Sequence, residues 1–76
     1  MASQRERVNA RYRREFGERV RELRVERGFS QEGLAERAGL HRNYVGGVER
    51  GERNIGLENI YALASALNVE VSELFH

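Results

Sequence analysis

The chain has 76 residues, of which 39% are apolar and 33% charged, with a formal net charge of +1, so it is the size of one small domain. A domain of this length buries only about 60% of its unfolded surface, so association with a second molecule often adds stability. The absence of cysteine excludes disulfides and thiolate metal sites. No apolar run approaches the roughly 20 residues of a membrane span, and the N-terminus lacks a signal-peptide apolar stretch, so we expect a cytoplasmic protein without a membrane partner.

The charged residues are unevenly distributed. All 13 basic residues are Arg and all 12 acidic residues are Glu. Residues 1–28 carry nine Arg and five Glu, whereas residues 49–76 carry two Arg and five Glu. A basic first part therefore precedes an acidic last part, but the overall charge is weaker than is usual for a DNA-binding domain, and composition alone leaves the function open.

The first predicted helix ends at Arg27, because Gly28 suits the left-handed position that follows a helix. Its apolar residues recur at steps of four, four, four and three, which places them on one helical stripe. They are Val8, Tyr12, Phe16, Val20 and Leu23.

The start of this helix has two interpretations. Ser3 and Glu6 have the spacing of a capping box, which predicts a helix from Gln4. Alternatively, residues 1–14 form a frayed, arginine-rich arm.

Two short helices are predicted next. Ser30 is a good N-cap for a helix over Gln31–Ala38, and Gly39 suits its C-terminal end. After a short turn a third helix is predicted over residues 42–50, and Gly51 ends it.

A fourth helix is predicted over Leu57–Leu67, followed by a last helical turn over residues 72–75. The residues expected to be buried in the fourth helix are Leu57, Ile60, Leu63, Ala64 and Leu67. No linker or repeat divides the chain, so we expect one domain over residues 1–76. The fold class is all-α, as a compact five-helix bundle.

The residues give little support for an enzyme. The chain has two histidines, and no HExxH, GxSxG or phosphate-loop pattern is present. Its glutamates are scattered among arginines, as on a solvated helical face. We therefore expect no catalytic or metal-binding residues, no cofactor and no small-molecule ligand.

Residues 30–49 combine two short helices with a tight, glycine-containing turn. Ala35 is small where the two helices must approach, and Leu40, Val45 and Val48 are apolar where the second packs back. This pattern is typical of a helix-turn-helix, whose second helix enters the DNA major groove. The alternative is a plain helical hairpin within a small bundle.

Residues 29–55, continued by residues 57–60, 62–64 and 66–69, resemble the phage-repressor and Cro-type helix-turn-helix family. The resemblance implies a lambda-repressor-like DNA-binding domain with a central helix-turn-helix. Within that family the run His41-Arg42-Asn43-Tyr44-Val45, with Glu49-Arg50 and Arg53-Asn54, is similar to the controller proteins of restriction–modification systems, which are small dimeric regulators.

The resemblance also implies which residues contact DNA. They are Gln31, His41, Arg42, Asn43, Tyr44, Gly47, Arg53, Asn54 and Asn59. Arg42 is the best candidate for base readout, because a guanidinium can donate to guanine O6 and N7 together. Its alternative role is a solvated partner of Glu36 or Glu49, and Asn54 is alternatively a turn residue.

Two glycines, Gly46 and Gly47, lie inside the predicted recognition helix, where each costs about 1 kcal/mol relative to Ala. One of them, Gly47, is compatible with a close approach to DNA.

The same resemblance implies a structural role for two residues, since Arg24 and Glu49 align with an ion pair that ties the first helix to the third. The C-terminal segment gives a separate prediction: it is apolar and follows the core helices, so part of it is free for a homodimer interface through the fourth and fifth segments. The expected interface residues are Val69, Val71, Leu74 and Phe75. Alternatively, part of this segment, at least Val69 or Leu74, is a lid over the protomer's own core.

The function expected from the sequence is a sequence-specific regulator that binds double-stranded DNA as a homodimer on a pseudo-palindromic operator. The resemblance to controller proteins implies that it controls a restriction–modification operon including its own gene. The alternatives are an antitoxin-like or protein-interaction module, or a purely structural helical bundle.

Overall fold

A computed structural model describes residues 2–76, and its elements are all helical. They are α1 (Gln4–Glu26), α2 (Gln31–Ala38), α3 (Arg42–Glu49), α4 (Leu57–Leu67) and a C-terminal 3₁₀ helix (Val71–Phe75). The all-α prediction is confirmed. Helices α1 and α3 each end one residue earlier than predicted, because Arg27 and Arg50 are their C-cap residues.

Helix α1 begins at Gln4. The Ser3 hydroxyl accepts a hydrogen bond from the Glu6 backbone N–H at 3.1 Å, which satisfies one of the free donors in the first turn. Of the two interpretations of residues 1–14, the structure therefore has the helix extension from Gln4 onward; Met1 lies outside the described residues.

The core is built from the facing sides of all five elements. Its buried apolar residues are Phe16, Val20, Leu23, Leu34, Ala35, Val45, Val48, Leu63, Ala64, Ala66, Leu67 and Leu74. Within residues 2–15 none is buried, and Tyr12, which the apolar stripe includes, is exposed. The core thus covers the second half of α1, while the first half continues the helix beyond it.

Helices α1 and α3 pack with their backbones close together at Gly17. A Cβ added there would lie 2.7 Å from the Glu49 carbonyl oxygen and would also overlap the Val48 carbonyl oxygen. Only glycine fits this crossing without displacing one helix. This contact determines how α3 is seated against the body of the protein.

Helices α2 and α3 form the predicted helix-turn-helix. The Ser30 hydroxyl accepts from the Gly33 N–H at 2.9 Å at the start of α2, and Gly39 ends it in the left-handed conformation with φ of 70°. Both helices bury apolar residues beneath them, namely Leu34, Ala35, Val45 and Val48. Among residues 2–76, no helix has the length and apolar character needed to cross a membrane.

Candidate nucleic-acid interface

The N-terminal end of α3 presents polar side chains to solvent. His41 caps the helix, its Nδ1 accepting from the Asn43 backbone N–H at 3.1 Å. Arg42 and Asn43 are exposed in the first turn. His41 therefore organises the helix start, and the two residues after it project outward.

Arg42 contacts Glu32 on α2, with 3.4 Å between Nη1 and Oε2. The alternative role predicted Glu36 or Glu49 as the partner, so the glutamate that Arg42 contacts is a different one. The side chains are 65% and 73% exposed, so the pair is weak and easily exchanged for another anion. Arg42 is thus available to a ligand at little cost.

A polar depression runs beside Arg42 along α2 and α3. It is lined by Gln31, Arg42, Asn43, Gly46 and Arg50. At its base the Gln31 Nε2 donates to Glu49 Oε1 at 3.0 Å. This hydrogen bond fixes the Gln31 amide, whose Oε1 lies toward Gly46.

Beneath the depression, Arg24 and Glu49 form a two-pronged ion pair between α1 and α3. Arg24 Nε donates to Glu49 Oε2 at 2.6 Å, and its Nη2 donates to Oε1 at 3.0 Å. The Glu49 side chain is only 2% exposed. The hydrogen bonds to Glu49 raise the pKa of Arg24, so its guanidinium stays charged and the pair holds α3 against α1.

A second cluster joins α3 to the loop and to α4. Asn59 Nδ2 donates to the Tyr44 hydroxyl at 3.2 Å, and the Arg53 guanidinium lies 5.5 Å from the centre of the Tyr44 ring. Tyr44 is half-buried. The structure therefore brings three of the predicted contact residues together, with Tyr44 as the common partner.

Gly47 is placed differently from the expectation of a direct approach to DNA. It is buried, and a Cβ there would lie 3.0 Å from the Arg53 Cγ and Nε. The Arg53 side chain covers this glycine because Arg53 folds back across α3. A ligand on this face would meet Arg53, and the close approach at Gly47 is made within the protomer.

The loop between α3 and α4 completes the surface. Asn54 is exposed there, next to Arg53. Arg50 donates to both carboxylate oxygens of Glu52 at 3.1 and 3.2 Å, which lowers the pKa of Glu52.

Within residues 2–76, no group of three or more His, Cys, Asp or Glu is arranged to hold a metal ion. The arrangement offers guanidinium and amide donors suited to phosphates and base edges.

Comparison with known proteins identifies this arrangement. Residues 20–74 match the family described as Helix-turn-helix, which is well over half of the chain. The chain belongs to the helix-turn-helix family. Its family and near relatives are DNA-binding transcriptional regulators, and it is not an enzyme.

Individual members of the family show which regulators this chain is similar to. Control protein C.SmaI of Serratia marcescens is 53% identical over 59 residues, covering 78% of this chain and 70% of that protein. The crystal structure of the restriction-modification controller protein C.AhdI from Aeromonas hydrophila is 59% identical with a TM-score of 0.82, covering 83% of this chain and 96% of that one. SinR, a master regulator for biofilm formation solved in complex with DNA, is 31% identical with a TM-score of 0.76, covering 80% and 98%. The resemblance to controller proteins is thereby confirmed.

This helix-turn-helix protein has a second surface feature at its C-terminal end. Leu74, predicted in the dimer interface, is fully buried in the protomer's own core, so that assignment is corrected. Val69 and Val71 are half-buried, and the centre of the exposed Phe75 ring lies 5.2 Å from the centre of the Phe16 ring. The lid interpretation therefore describes Leu74, and Phe75 is the member of the segment with the most free surface.

Sequence reasoning missed two exposed apolar residues on α4. Leu57 and Tyr61 are 70% and 58% exposed and lie four residues apart, on one face of the helix. The helical spacing predicts Leu57 in the buried stripe of α4, and this is wrong, because Leu57 lies in the first turn with most of its side chain exposed. Tyr61 lies outside that stripe, and neither residue was named for the homodimer expected through the fourth and fifth segments.

Proposed function

We propose that this protein is a sequence-specific transcriptional regulator that binds a pseudo-palindromic DNA operator as a homodimer and controls a restriction–modification operon including its own gene. The observation that carries the proposal is the exposed start of α3, where Arg42 and Asn43 project from a helix anchored by a buried ion pair. The similarity to controller proteins supports the choice of operon.

In this proposal α3 is the recognition helix in the major groove. Arg42 leaves Glu32 and donates to a guanine, since the exposed ion pair is a weak competitor for a bidentate base contact. Asn43 lies beside it and is suited to adenine or to a phosphate. Gln31, at the first turn of α2, presents its Oε1 to the same depression while Glu49 holds its Nε2.

The loop after α3 supplies contacts to the DNA backbone. Arg53 and Asn54 are exposed next to the recognition helix, where phosphate contacts would fix the register without reading sequence. Tyr44 and Asn59 hold each other by a hydrogen bond, so their proposed role is to position Arg53 and the loop.

A homodimer is proposed because one short recognition helix reaches few base pairs. Two copies related by a two-fold axis double the contacts and place half-sites about one DNA turn apart. The proposed interface uses the exposed Leu57 and Tyr61 of α4 together with Val69, Val71 and Phe75. As a regulator that binds a DNA operator, the protein is proposed to act in the cytoplasm.

The proposal is tested by selecting bound sites from a pool of random duplexes. We expect a pseudo-palindromic consensus, and an affinity for it that falls steeply as salt rises, because neutralised phosphates release counterions. No enrichment of any sequence, together with salt-insensitive binding to a protein partner, would favour the protein-interaction alternative.

The operon assignment needs a second experiment. A transcription reporter carrying the DNA upstream of the protein's own gene should respond to its expression, and the selected consensus should occur in that DNA. A reporter that does not respond would remove the autoregulatory part while leaving sequence-specific binding intact.

A further inference from the structure

The first half of α1 carries a concentrated positive charge that the core does not use. Residues 4–14 include five arginines and one glutamate, and none of these eleven residues is buried. At 1.5 Å per residue this segment is roughly 16 Å long. It is an ordered helix, capped at Ser3, that presents its charges to solvent.

Three of these arginines share one face. Arg7, Arg11 and Arg14 are spaced by four and three residues, and all are exposed. Arg11 forms a long pair with Glu15 at 3.8 Å. Within residues 2–76, neither Arg7 nor Arg14 has a carboxylate partner. We call Arg7, Arg11 and Arg14 the basic face of α1.

This segment is joined directly to the loop that carries Arg53. Arg13 Nε donates to the Gly51 carbonyl oxygen at 3.3 Å. A Cβ on Gly51 would lie 3.0 Å from the Arg14 Cα, so the two backbones are in contact. Glu52, Arg53 and Asn54 follow at once along the chain, so the basic face is continuous with the loop proposed to contact phosphates.

We propose that the basic face of α1 is a second DNA-backbone contact, which binds phosphates that flank the half-site read by α3. This inference rests on the proposed function. Charge complementarity favours DNA as the occupant, since unpaired arginines along a helix face match the regular negative charge of a duplex. The alternative occupant is the acidic last part of a second copy, residues 49–76, and it is treated as an outcome of the test.

The experiment compares two duplexes that contain the selected operator. One ends at the outer edges of the half-sites, and the other extends about one helical turn, roughly ten base pairs, beyond each edge. The wild type, Arg7→Gln, Arg14→Gln and the double variant are titrated across a salt series. Arg21→Gln is the charge-matched control, because Arg21 is also exposed on α1 but lies beyond the Gly17 crossing.

On the long duplex we expect the slope of log affinity against log salt to become shallower by about 0.9 for each phosphate contact removed, hence by about 1.8 for one substitution carried by both protomers. The sequence preference should stay unchanged, and Arg21→Gln should leave the slope unaltered. On the short duplex the variants should match the wild type, since the flanking phosphates are gone.

Three outcomes would overturn the inference. The first is that the variants have the same salt slope as the wild type on the long duplex. The second is that Arg21→Gln has the same effect as Arg7→Gln, which indicates a general charge effect. The third is that the variants are monomeric by light scattering, which indicates that the basic face binds a second copy. If the wild type binds neither duplex selectively, the proposed function itself fails, which is a separate result. Circular dichroism spectra and melting curves establish that each variant is folded.

Discussion

One carboxylate, that of Glu49, connects three elements of the fold. It lies on α3 and accepts hydrogen bonds from Arg24 on α1 and from Gln31 on α2. Arg24 also donates to the Phe29 carbonyl oxygen at 2.9 Å, which ties in the chain that leads to α2. Within residues 2–76, no buried side-chain nitrogen or oxygen lacks a partner, so this polar cluster is fully satisfied.

Removing that carboxylate should destabilise the protein strongly. Glu49→Ala leaves the Arg24 charge mostly buried without its partner, and we expect a loss of about 3 kcal/mol in the free energy of unfolding, measured by urea denaturation. The control is Glu52→Ala, which breaks the exposed pair with Arg50 and should change stability far less. Equal effects of the two variants would contradict a structural role for the buried pair.

The two proposed kinds of DNA contact should separate by mutation. Arg42→Ala should cost about 1–3 kcal/mol against the selected operator and relax the preference at one base pair, because a base contact is lost. Arg53→Ala should weaken binding to all sequences alike, because phosphates carry no sequence information. Competition assays with operators mutated one position at a time measure both effects. A loss of preference in Arg53→Ala and none in Arg42→Ala would reverse the assignments.

At the scale of elements, the crossing of α1 and α3 depends on the missing side chain at Gly17. Gly17→Ala pushes a methyl group against backbone carbonyl groups that have no rotamer with which to move away. We expect the free energy of unfolding to fall by about 1–3 kcal/mol, the usual cost of overpacking. Thermal unfolding followed by circular dichroism measures it, and an unchanged melting temperature would show that the helices can separate freely here.

The start of α4 offers the opposite case. Gly56 is its N-cap with no side-chain hydrogen bond, at φ of −83° and ψ of 164°, and a Cβ there meets nothing within 4 Å. Gly56→Ser adds a cap oxygen and restricts the unfolded chain, so we expect stabilisation of about 0.5–1 kcal/mol. Gly56→Ala, which lacks the oxygen, is the matched control in the same urea titration. A serine variant no more stable than the alanine variant would show that the cap does not form.

The bounds of the helices were predictable because the residues that cap a helix act on the backbone of the adjacent turn. Ser30 and Gly39 act on the backbone within one turn, so the bounds of α2 follow from the sequence alone. The same holds for the start of α1 at Ser3 once the competing arm is set aside.

What could not be predicted depends on residues that are distant in the chain. The tight contact at Gly17 involves residues more than 30 positions away, and helical periodicity carries no information about it. Likewise the burial of Leu74 depends on how the last turn folds back onto α1 and α4. At the site, the types of side chain were predictable, whereas the specific partners of Arg42, Gln31 and Arg53 required coordinates.

At the scale of the whole molecule, the protein is elongated, with extents of 37 × 24 × 21 Å. Helix α1 has 23 residues and is therefore roughly 35 Å long, so it spans nearly the entire long axis. Helix α3 is seated near the middle of α1, at Gly17, and two apolar residues of α4, Leu57 and Tyr61, remain exposed. One rod-like helix thus supports a small body in which the proposed DNA-contacting surface and the exposed apolar residues of α4 belong to different elements.

Dimerisation and folding can be tested independently, because Tyr61 is exposed on α4 whereas Leu74 is buried in the core. Tyr61→Glu places a charge on the exposed face of α4, and we expect it to dissociate the dimer while the circular dichroism spectrum stays unchanged, because Tyr61 is 58% exposed in the protomer. Leu74→Ala is the contrasting variant, since it opens a cavity in the core and should cost about 2–5 kcal/mol of stability. Light scattering at tens of micromolar protein measures assembly, which depends on concentration. A wild type that is monomeric under those conditions, or a Tyr61→Glu variant that remains dimeric, would exclude α4 as the interface and with it the two-fold pairing proposed for the operator.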